Sequence, residues 1–301
     1  MKHLTNGIIE IDVDEHGAEL HGIRKNGVEY LWQGDPTFWG RHSPVLFPIV
    51  GSLWEKKMHV ENRIYQMGQH GFARDMDFML FSQEEDSITY RLVSDGETHD
   101  KYPWDFQLDI TYKLEGQKVL VIWEVENKSG REMFFQIGAH PAFYYPDFKE
   151  ENDLKGWFTL SKNGKQVENI QHILIGEKGC ADVDHHYPLP LEKTELPGLG
   201  GLAQRLDLHS FDKDAFIIED SQVDTVTLHK PEGQPWLRLH FDAPLVGLWS
   251  PVGKNAPFVC IEPWYGRCDR VGYNGEFKDR DHMNHLEPDE VFRSTYTIEL
   301  L

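Results

Sequence analysis

Apolar and polar residues alternate along many short stretches of this 301-residue chain. Residues 87–93 (SITYRLV), 106–114 (FQLDITYKL) and 292–300 (FRSTYTIEL) are examples. A period of two places one row of side chains on a buried face and the next row in solvent, as in an antiparallel strand. Helical turns are expected only near residues 202–206 and 287–290. The pattern therefore predicts an all-β protein, built as a sandwich of antiparallel sheets.

Turn residues separate the predicted strands. The pair Asn26-Gly27 lies between two apolar stretches, which is a strong signal for a tight hairpin. Residues 168–201 are rich in glycine, proline and charge, and they are expected to run over the surface as a long excursion. Because the strand pattern resumes in kind after this excursion, we expect one domain spanning residues 1–301.

The amino-acid composition limits the kinds of molecule that the protein can bind. Acidic residues outnumber basic residues by 50 to 30, for a net charge of −20, which disfavours nucleic acid and anionic membranes as partners. No stretch approaches the ~18 apolar residues of a membrane span, and the N-terminus has no signal-like apolar region, so a cytoplasmic protein is expected. The three cysteines have no CxxC spacing, which argues against a disulfide framework or a zinc knuckle.

Three distant segments each place titratable groups beside aromatic and turn residues. They are residues 69–74 (QHGFAR), 137–143 (IGAHPAF) and 260–266 (CIEPWYG). An imidazole acid and a carboxylate base can act at opposite ends of one polar group, and flat aromatic faces suit the C–H faces of a pyranose. These residue types together indicate proton transfer on a sugar.

His140 and Glu262 are the candidate catalytic pair. His140 precedes Pro141, which favours an extended backbone, and Glu262 ends an apolar run that should raise the pKa of its carboxyl group toward the range useful to a base. The alternatives are a histidine that caps a strand and a glutamate held in an ion pair. If the pair brackets a pyranose, their reactive atoms should lie roughly 5–8 Å apart.

In this order, the three segments resemble the aldose 1-epimerase (galactose mutarotase) superfamily, and within it the LacX-like branch. The resemblance spans nearly the whole chain. It implies a galactose mutarotase-like antiparallel supersandwich that interconverts the α and β anomers of a hexose without a cofactor. His140 would then be the general acid and Glu262 the general base. His70, Arg74 and Trp264 would bind the sugar.

Two positions leave the substrate open. The resemblance also implies a sugar-binding aspartate, for which Asp214 is preferred over Asp212 because it leads directly into a strand. Family members commonly have an arginine where this chain has Ser52. The missing arginine puts the identity of the sugar in doubt. Because a net charge of −20 would repel a sugar phosphate, the small-molecule substrate is expected to be a neutral hexose.

The alternatives are a hexose-6-phosphate mutarotase and a sugar-binding protein without catalysis. A phosphate would need the arginines near the motifs, which are Arg41, Arg74 and Arg267. The histidine-rich segments 182–186 and 282–285 lack a metal-site spacing and are expected to be solvated loops, so no metal is expected. The sequence does not indicate an oligomeric state.

Overall fold

The computed structural model describes residues 1–301 and is built almost entirely from β-strands. The strands of the first half of the chain are β1 Lys2–Thr5, β2 Ile9–Val13, β3 Leu20–Lys25, β4 Val28–Glu29, β5 Val45–Leu46, β6 Lys57–Val60, β7 Arg63–Gln66, β8 Met79–Gln83, β9 Ser87–Val93, β10 Phe106–Glu115, β11 Lys118–Asn127, β12 Met133–Phe135, β13 Ile137–Ala139 and β14 Ala142–Tyr144.

The remaining strands complete the sheets. They are β15 Gly156–Lys162, β16 Lys165–Gln166, β17 Gln171–Ile175, β18 Ala181–Pro188, β19 Leu191–Lys193, β20 Leu202–Leu206, β21 Phe216–Ile218, β22 Thr225–His229, β23 Pro235–Phe241, β24 Leu245–Trp249, β25 Phe258–Tyr265, β26 Asn284–Leu286 and β27 Val291–Leu300.

Helices are few and short. The α-helix is α1 Gly96–His99, and the 3₁₀ turns are Trp54–Lys56, Ala73–Asp75, Glu177–Gly179 and Phe277–Asp279. None of these helices has the length and apolar character needed to cross a membrane.

Two large antiparallel sheets dominate the architecture. The first has the strand order β19-β20-β15-β22-β23-β27-β11-β10-β9-β8, with β16 paired to β15. The second has the order β18-β17-β21-β24-β25-β13-β5, with β14 paired to β25. A cluster of 63 buried side chains joins the inner faces of both sheets. The predicted all-β architecture of antiparallel sheets is confirmed.

The second sheet, which we call the cleft sheet, carries the candidate site on its outer face. Along β25, Val259 and Ile261 belong to the main core, whereas Cys260 and Trp264 belong to smaller clusters on the opposite face. Because side chains alternate between the two faces of a strand, Glu262 also faces outward from the core. The alternation along β25 thus places a carboxylate on the outer face.

Three local expectations were wrong. Residues 202–206 form β20 rather than a helical turn, because pairing with β15 and β19 outweighs local helical preference. Residues 287–290 form a turn before β27. The excursion over residues 168–201 contains β17, β18 and β19, and two of these strands belong to the cleft sheet.

Asn127 connects the end of β11 to two other segments. Its buried amide nitrogen donates hydrogen bonds to the carbonyl oxygens of Arg131 and Leu286, both at 2.8 Å, and its amide oxygen accepts one from the backbone N–H of Ser129 at 2.8 Å. A buried side chain with all three partners is costly to remove, because the partner groups then lose their hydrogen bonds.

We expect Asn127→Ala to lower the free energy of unfolding by roughly 1–3 kcal/mol for the orphaned groups. Urea denaturation measures this difference. Asn152→Ala is the matched control, since Asn152 is exposed and should leave the unfolding midpoint nearly unchanged. Equal midpoints for the two variants would contradict the role given to Asn127.

Candidate active site

Strand register brings the two candidate catalytic side chains together. Gly138 in β13 lies opposite Trp264 in β25, and β14 continues the same register along β25. This register puts His140, in the link between β13 and β14, directly opposite Glu262. The closest atoms, His140 Nε2 and Glu262 Oε2, are 3.3 Å apart. The expected 5–8 Å gap was too long, because directly opposed residues of an antiparallel pair are nearest neighbours.

The pair is almost fully enclosed. The side chains of His140 and Glu262 are 10% and 2% exposed. Burial lowers the pKa of His140 to about 3, with a further contribution from the positive charge of Arg74. Burial also raises the pKa of Glu262 well above 4.5, and the nearby Asp214 adds to the effect. Both shifts favour the uncharged forms of the two groups, a neutral imidazole and a carboxylic acid.

Aromatic rings surround the His140 imidazole. The Trp39 indole stacks on it, with ring centroids 4.8 Å apart and planes inclined by 28°. Trp249 and His70 meet it edge-on at 5.4 Å and 5.6 Å. Sequence reasoning missed Trp39 and Trp249, because neither lies within the three quoted segments.

His70 is held in one tautomer by the main chain. The backbone N–H of Gly51 donates a hydrogen bond to His70 Nδ1 at 3.0 Å. An imidazole nitrogen that accepts a hydrogen bond carries no proton, so the neutral ring carries its proton on Nε2. Burial lowers the pKa of His70 well below 6.5, with help from His140 and Arg74. His70 is thus a neutral hydrogen-bond donor in the cleft.

Two arginines lie on the same side of the cleft. Arg74 donates from Nη2 to the carbonyl oxygen of Gln69 at 2.8 Å, while its buried Nε has no hydrogen-bond partner. Burial and the nearby Arg41 lower the pKa of Arg74 to about 10. Asp75 pairs with Arg41 at 2.6 Å and approaches Arg74 only to 3.8 Å. Arg74 therefore retains donor capacity for a ligand.

Trp264 reaches its place on the cleft floor because two glycines leave room for it. A Cβ atom on Gly138 would lie 2.6 Å from the indole, and one on Gly247 would lie 2.5 Å from its six-membered ring. Gly247 is also the residue opposite Glu262 in β24. The two glycines thus control the position of the indole beside the carboxyl group.

The cleft encloses about 340 Å³ and collects the predicted site residues. All six proposed site residues line it, which are His70, Arg74, His140, Asp214, Glu262 and Trp264. Asp212 is exposed and bonds to His209 at 3.0 Å outside the cleft.

Ser52, at the position where the resemblance implies an arginine, is not among the residues that line the cleft. Ser52 packs against the 3₁₀ turn between β17 and β18, where a Cβ atom on Gly179 would lie 3.1 Å from its hydroxyl oxygen. Gly179 and Ile175 line the cleft there instead. Arg267 does not serve the cleft, because it is buried in ion pairs with Glu219 and Asp281, both at 2.6 Å.

Two groups of side chains bring possible metal-donor atoms within 4.8 Å of one another. They are Glu19 with His21 and His42, and Cys260 with His140 and Glu262. The rings of His21 and His42 stack at 3.9 Å and 16°, so their in-plane lone pairs do not converge on one ion. Burial raises the pKa of the Cys260 thiol well above its usual range, which keeps it protonated.

The sequence profile of the aldose 1-epimerase family matches residues 2–281. The chain belongs to the aldose 1-epimerase family. The plasmid and chromosomal LacX proteins of Lactococcus lactis subsp. lactis are 29% and 30% identical, and each alignment covers 99% of this chain and 98% of the relative. The resemblance inferred from the three segments is thereby confirmed.

Solved structures give the same grouping. A galactose mutarotase related enzyme from Lactobacillus acidophilus superposes with a TM-score of 0.88 at 30% identity, covering 100% of this chain and 97% of that one. A galactose mutarotase-like protein from Lactobacillus casei also gives a TM-score of 0.88 at 28% identity, covering both chains fully. Membership of the family implies epimerase activity on a sugar.

We expect Gly247→Ala to reduce sugar turnover more than it reduces stability, because the added methyl group displaces the Trp264 indole beside Glu262. Turnover by polarimetry and the melting temperature by calorimetry measure the two effects. Gly130→Ala is a control for glycine replacement, since Gly130 is exposed, its φ is outside the left-handed region, and no heavy atom lies within 4 Å of its would-be Cβ. Full turnover by Gly247→Ala would contradict this role for the glycine.

Proposed function

We propose that this protein is an aldose 1-epimerase that interconverts the α and β anomers of a hexose, with His140 and Glu262 as its acid–base pair. The supporting observation is the buried 3.3 Å contact between these side chains on the floor of an aromatic cleft. A protein that only bound sugar would not need an uncharged acid next to an uncharged base, both withdrawn from water.

One proton shared by two groups suits this reaction. Anomerisation requires a proton to reach the ring oxygen while another leaves the anomeric hydroxyl group. The resting proton lies on Glu262, and the 3.3 Å contact allows it to pass to His140 as the sugar replaces the contact. The imidazolium is then the acid and the carboxylate is the base. The pair has the same total number of protons as before, but the proton now lies on His140 instead of Glu262.

The chemical steps follow from this arrangement. His140 gives its proton to the ring oxygen while Glu262 removes the proton of the anomeric hydroxyl group, and the ring opens. Rotation about the C1–C2 bond turns the aldehyde, and closure on its other face reverses both transfers. General acid–base groups contribute typically 10²–10⁴-fold each to such reactions.

The remaining cleft side chains hold the sugar. His70 offers its Nε2–H beside His140, where it can donate to the ring oxygen as negative charge develops. Arg74 offers the guanidinium N–H groups that its hydrogen bond to Gln69 leaves free, and Asp214 offers a carboxylate that can accept from sugar hydroxyls. Trp264 presents an apolar face to the C–H groups of the ring.

Glu262→Gln should reduce turnover by at least about 10²-fold, because the amide keeps the shape but loses the base. It should also raise the melting temperature, since the buried carboxyl group has a raised pKa and opposes folding as the pH rises above 4.5. The difference in melting temperature between variant and wild type should therefore grow from pH 4.5 to pH 7. Wild-type turnover in the variant would remove Glu262 from the mechanism.

The pH dependence of kcat/KM should show a broad plateau through neutral pH. On the acid side, activity falls when His140 takes a second proton near its pKa of about 3, because the pair then has no base. On the alkaline side, activity falls when Glu262 loses the only proton, at a pKa well above 4.5. A steep acid limb near pH 6.5, the usual pKa of a histidine, would contradict the burial of the pair.

A hexose 6-phosphate mutarotase is the second candidate, and the observation that favours it is the pair of arginines. Arg41 and Arg74 line the same side of the cleft, and a guanidinium group binds phosphate well. Two features argue against a phosphorylated substrate. Asp75 already pairs with Arg41, and the protein carries a net charge of −20. We therefore favour a neutral hexose.

Competition between glucose or galactose and the matching 6-phosphate tests this choice. The neutral sugar should have the higher kcat/KM at low and high salt. A preference for the phosphate that weakens with salt would show that the arginines outweigh the acidic surface. Arg74→Gln should then remove the preference.

A further inference from the structure

We propose that Trp39 is a positioning residue that fixes the orientation of the His140 imidazole during catalysis. The proposal rests on the proposed acid–base role of His140. Trp39 lies outside the three motifs, on the loop between β4 and β5, yet its indole covers one face of the imidazole at 4.8 Å.

The imidazole needs a packing contact to hold its orientation, because its Nδ1 atom makes no hydrogen bond to another residue. Catalytic histidines are usually oriented by a hydrogen bond at the nitrogen that does not react. Here Nε2 faces Glu262, while Nδ1 is buried without a hydrogen-bond partner. The ring orientation is therefore set by packing, with Trp39 on one face and Trp249 and His70 at its edges.

Hydrogen bonds to main-chain groups fix the Trp39 loop. The backbone N–H of Trp39 donates to the carbonyl oxygen of Asp35 at 3.0 Å, and its own carbonyl oxygen accepts from Trp32 Nε1 at 2.8 Å. Lys254 donates to the carbonyl oxygens of Thr37 and Phe38 at 3.1 and 2.9 Å. These bonds do not involve the indole of Trp39, so the side chain can be changed while the loop keeps its anchors.

The stacked indole also suits the change of charge at His140. When the imidazole takes up the proton, a cation lies over the indole face, which is a favourable geometry. The titratable and charged groups around the ring act on it as well, and these are Glu19, Arg41, His70, Arg74 and Glu262. Trp39 is the aromatic group stacked face to face on the imidazole.

Steady-state kinetics of Trp39→Ala and Trp39→Phe test the kinetic consequence. Because a misplacement of about 1 Å can cost about 10²-fold in rate, we expect Trp39→Ala to lower kcat by about 10- to 100-fold. KM should change by less than about 3-fold, since the hydrogen bonds to the sugar remain. Trp39→Phe restores a flat face and should recover most of the loss. A loss confined to KM, or no recovery with phenylalanine, would overturn the proposal.

Phe38→Ala is the matched control. Phe38 lies on the same loop and meets Trp32 edge-on at 5.8 Å, but it does not contact His140. This variant should keep near wild-type kcat. If it loses as much kcat as Trp39→Ala, the order of the loop rather than the stacked indole would explain both results, and the proposal would fail.

Histidine NMR separates this proposal from the proposed function, because it requires no turnover. The His140 ring signal, assigned by its absence in His140→Asn, should be shifted by the ring current of Trp39. Trp39→Ala should remove that shift and raise the pKa of His140 from about 3 toward 6.5, as water reaches the ring. An unchanged His140 signal would overturn the proposal even if the protein epimerises sugars. A changed signal in a protein without turnover would instead count against the proposed function alone.

Discussion

The antiparallel register between β25 and the β13–β14 segment is the constraint on which the site depends. It places His140 opposite Glu262 on the outer face of the cleft sheet, although the two residues are more than a hundred positions apart in the sequence. The same strands contribute Val259 and Ile261 to the main core, so packing on one face fixes the chemistry on the other. A shift of one residue would turn Glu262 into the core.

The burial of His140 and Glu262 is the second constraint on the site. An imidazole and a carboxyl group withdrawn from water both favour their uncharged forms, and the proposed mechanism uses the proton of the carboxyl group. Such a pair opposes folding, which is the usual cost of a functional site. The surrounding side chains have other roles in the proposed mechanism. His70 and Arg74 are hydrogen-bond donors to the sugar, and Trp39 stacks on the imidazole of His140.

Much of the fold could be predicted from the sequence, because strands such as β9 and β10 show their alternation directly. The strands within residues 168–201 were harder to predict from the sequence, since β17 and β18 gain their stability from pairing within the sheet rather than from their own composition. The site motifs were visible because they combine rare residue types. Trp39 was not, because its contact with His140 depends on a loop conformation that no short motif encodes. The contact between Ser52 and the turn at Gly179 was likewise not predictable, because the two residues are far apart in the sequence.

The most direct test is two-dimensional exchange NMR of a hexose labelled at C1, with and without the protein, at neutral pH. We predict exchange cross-peaks between the α and β C1 signals of glucose or galactose with the wild-type protein, and their loss with His140→Asn. Cross-peaks no stronger than those of the sugar alone, under conditions where the sugar binds, would contradict the claim that the His140–Glu262 pair catalyses anomerisation.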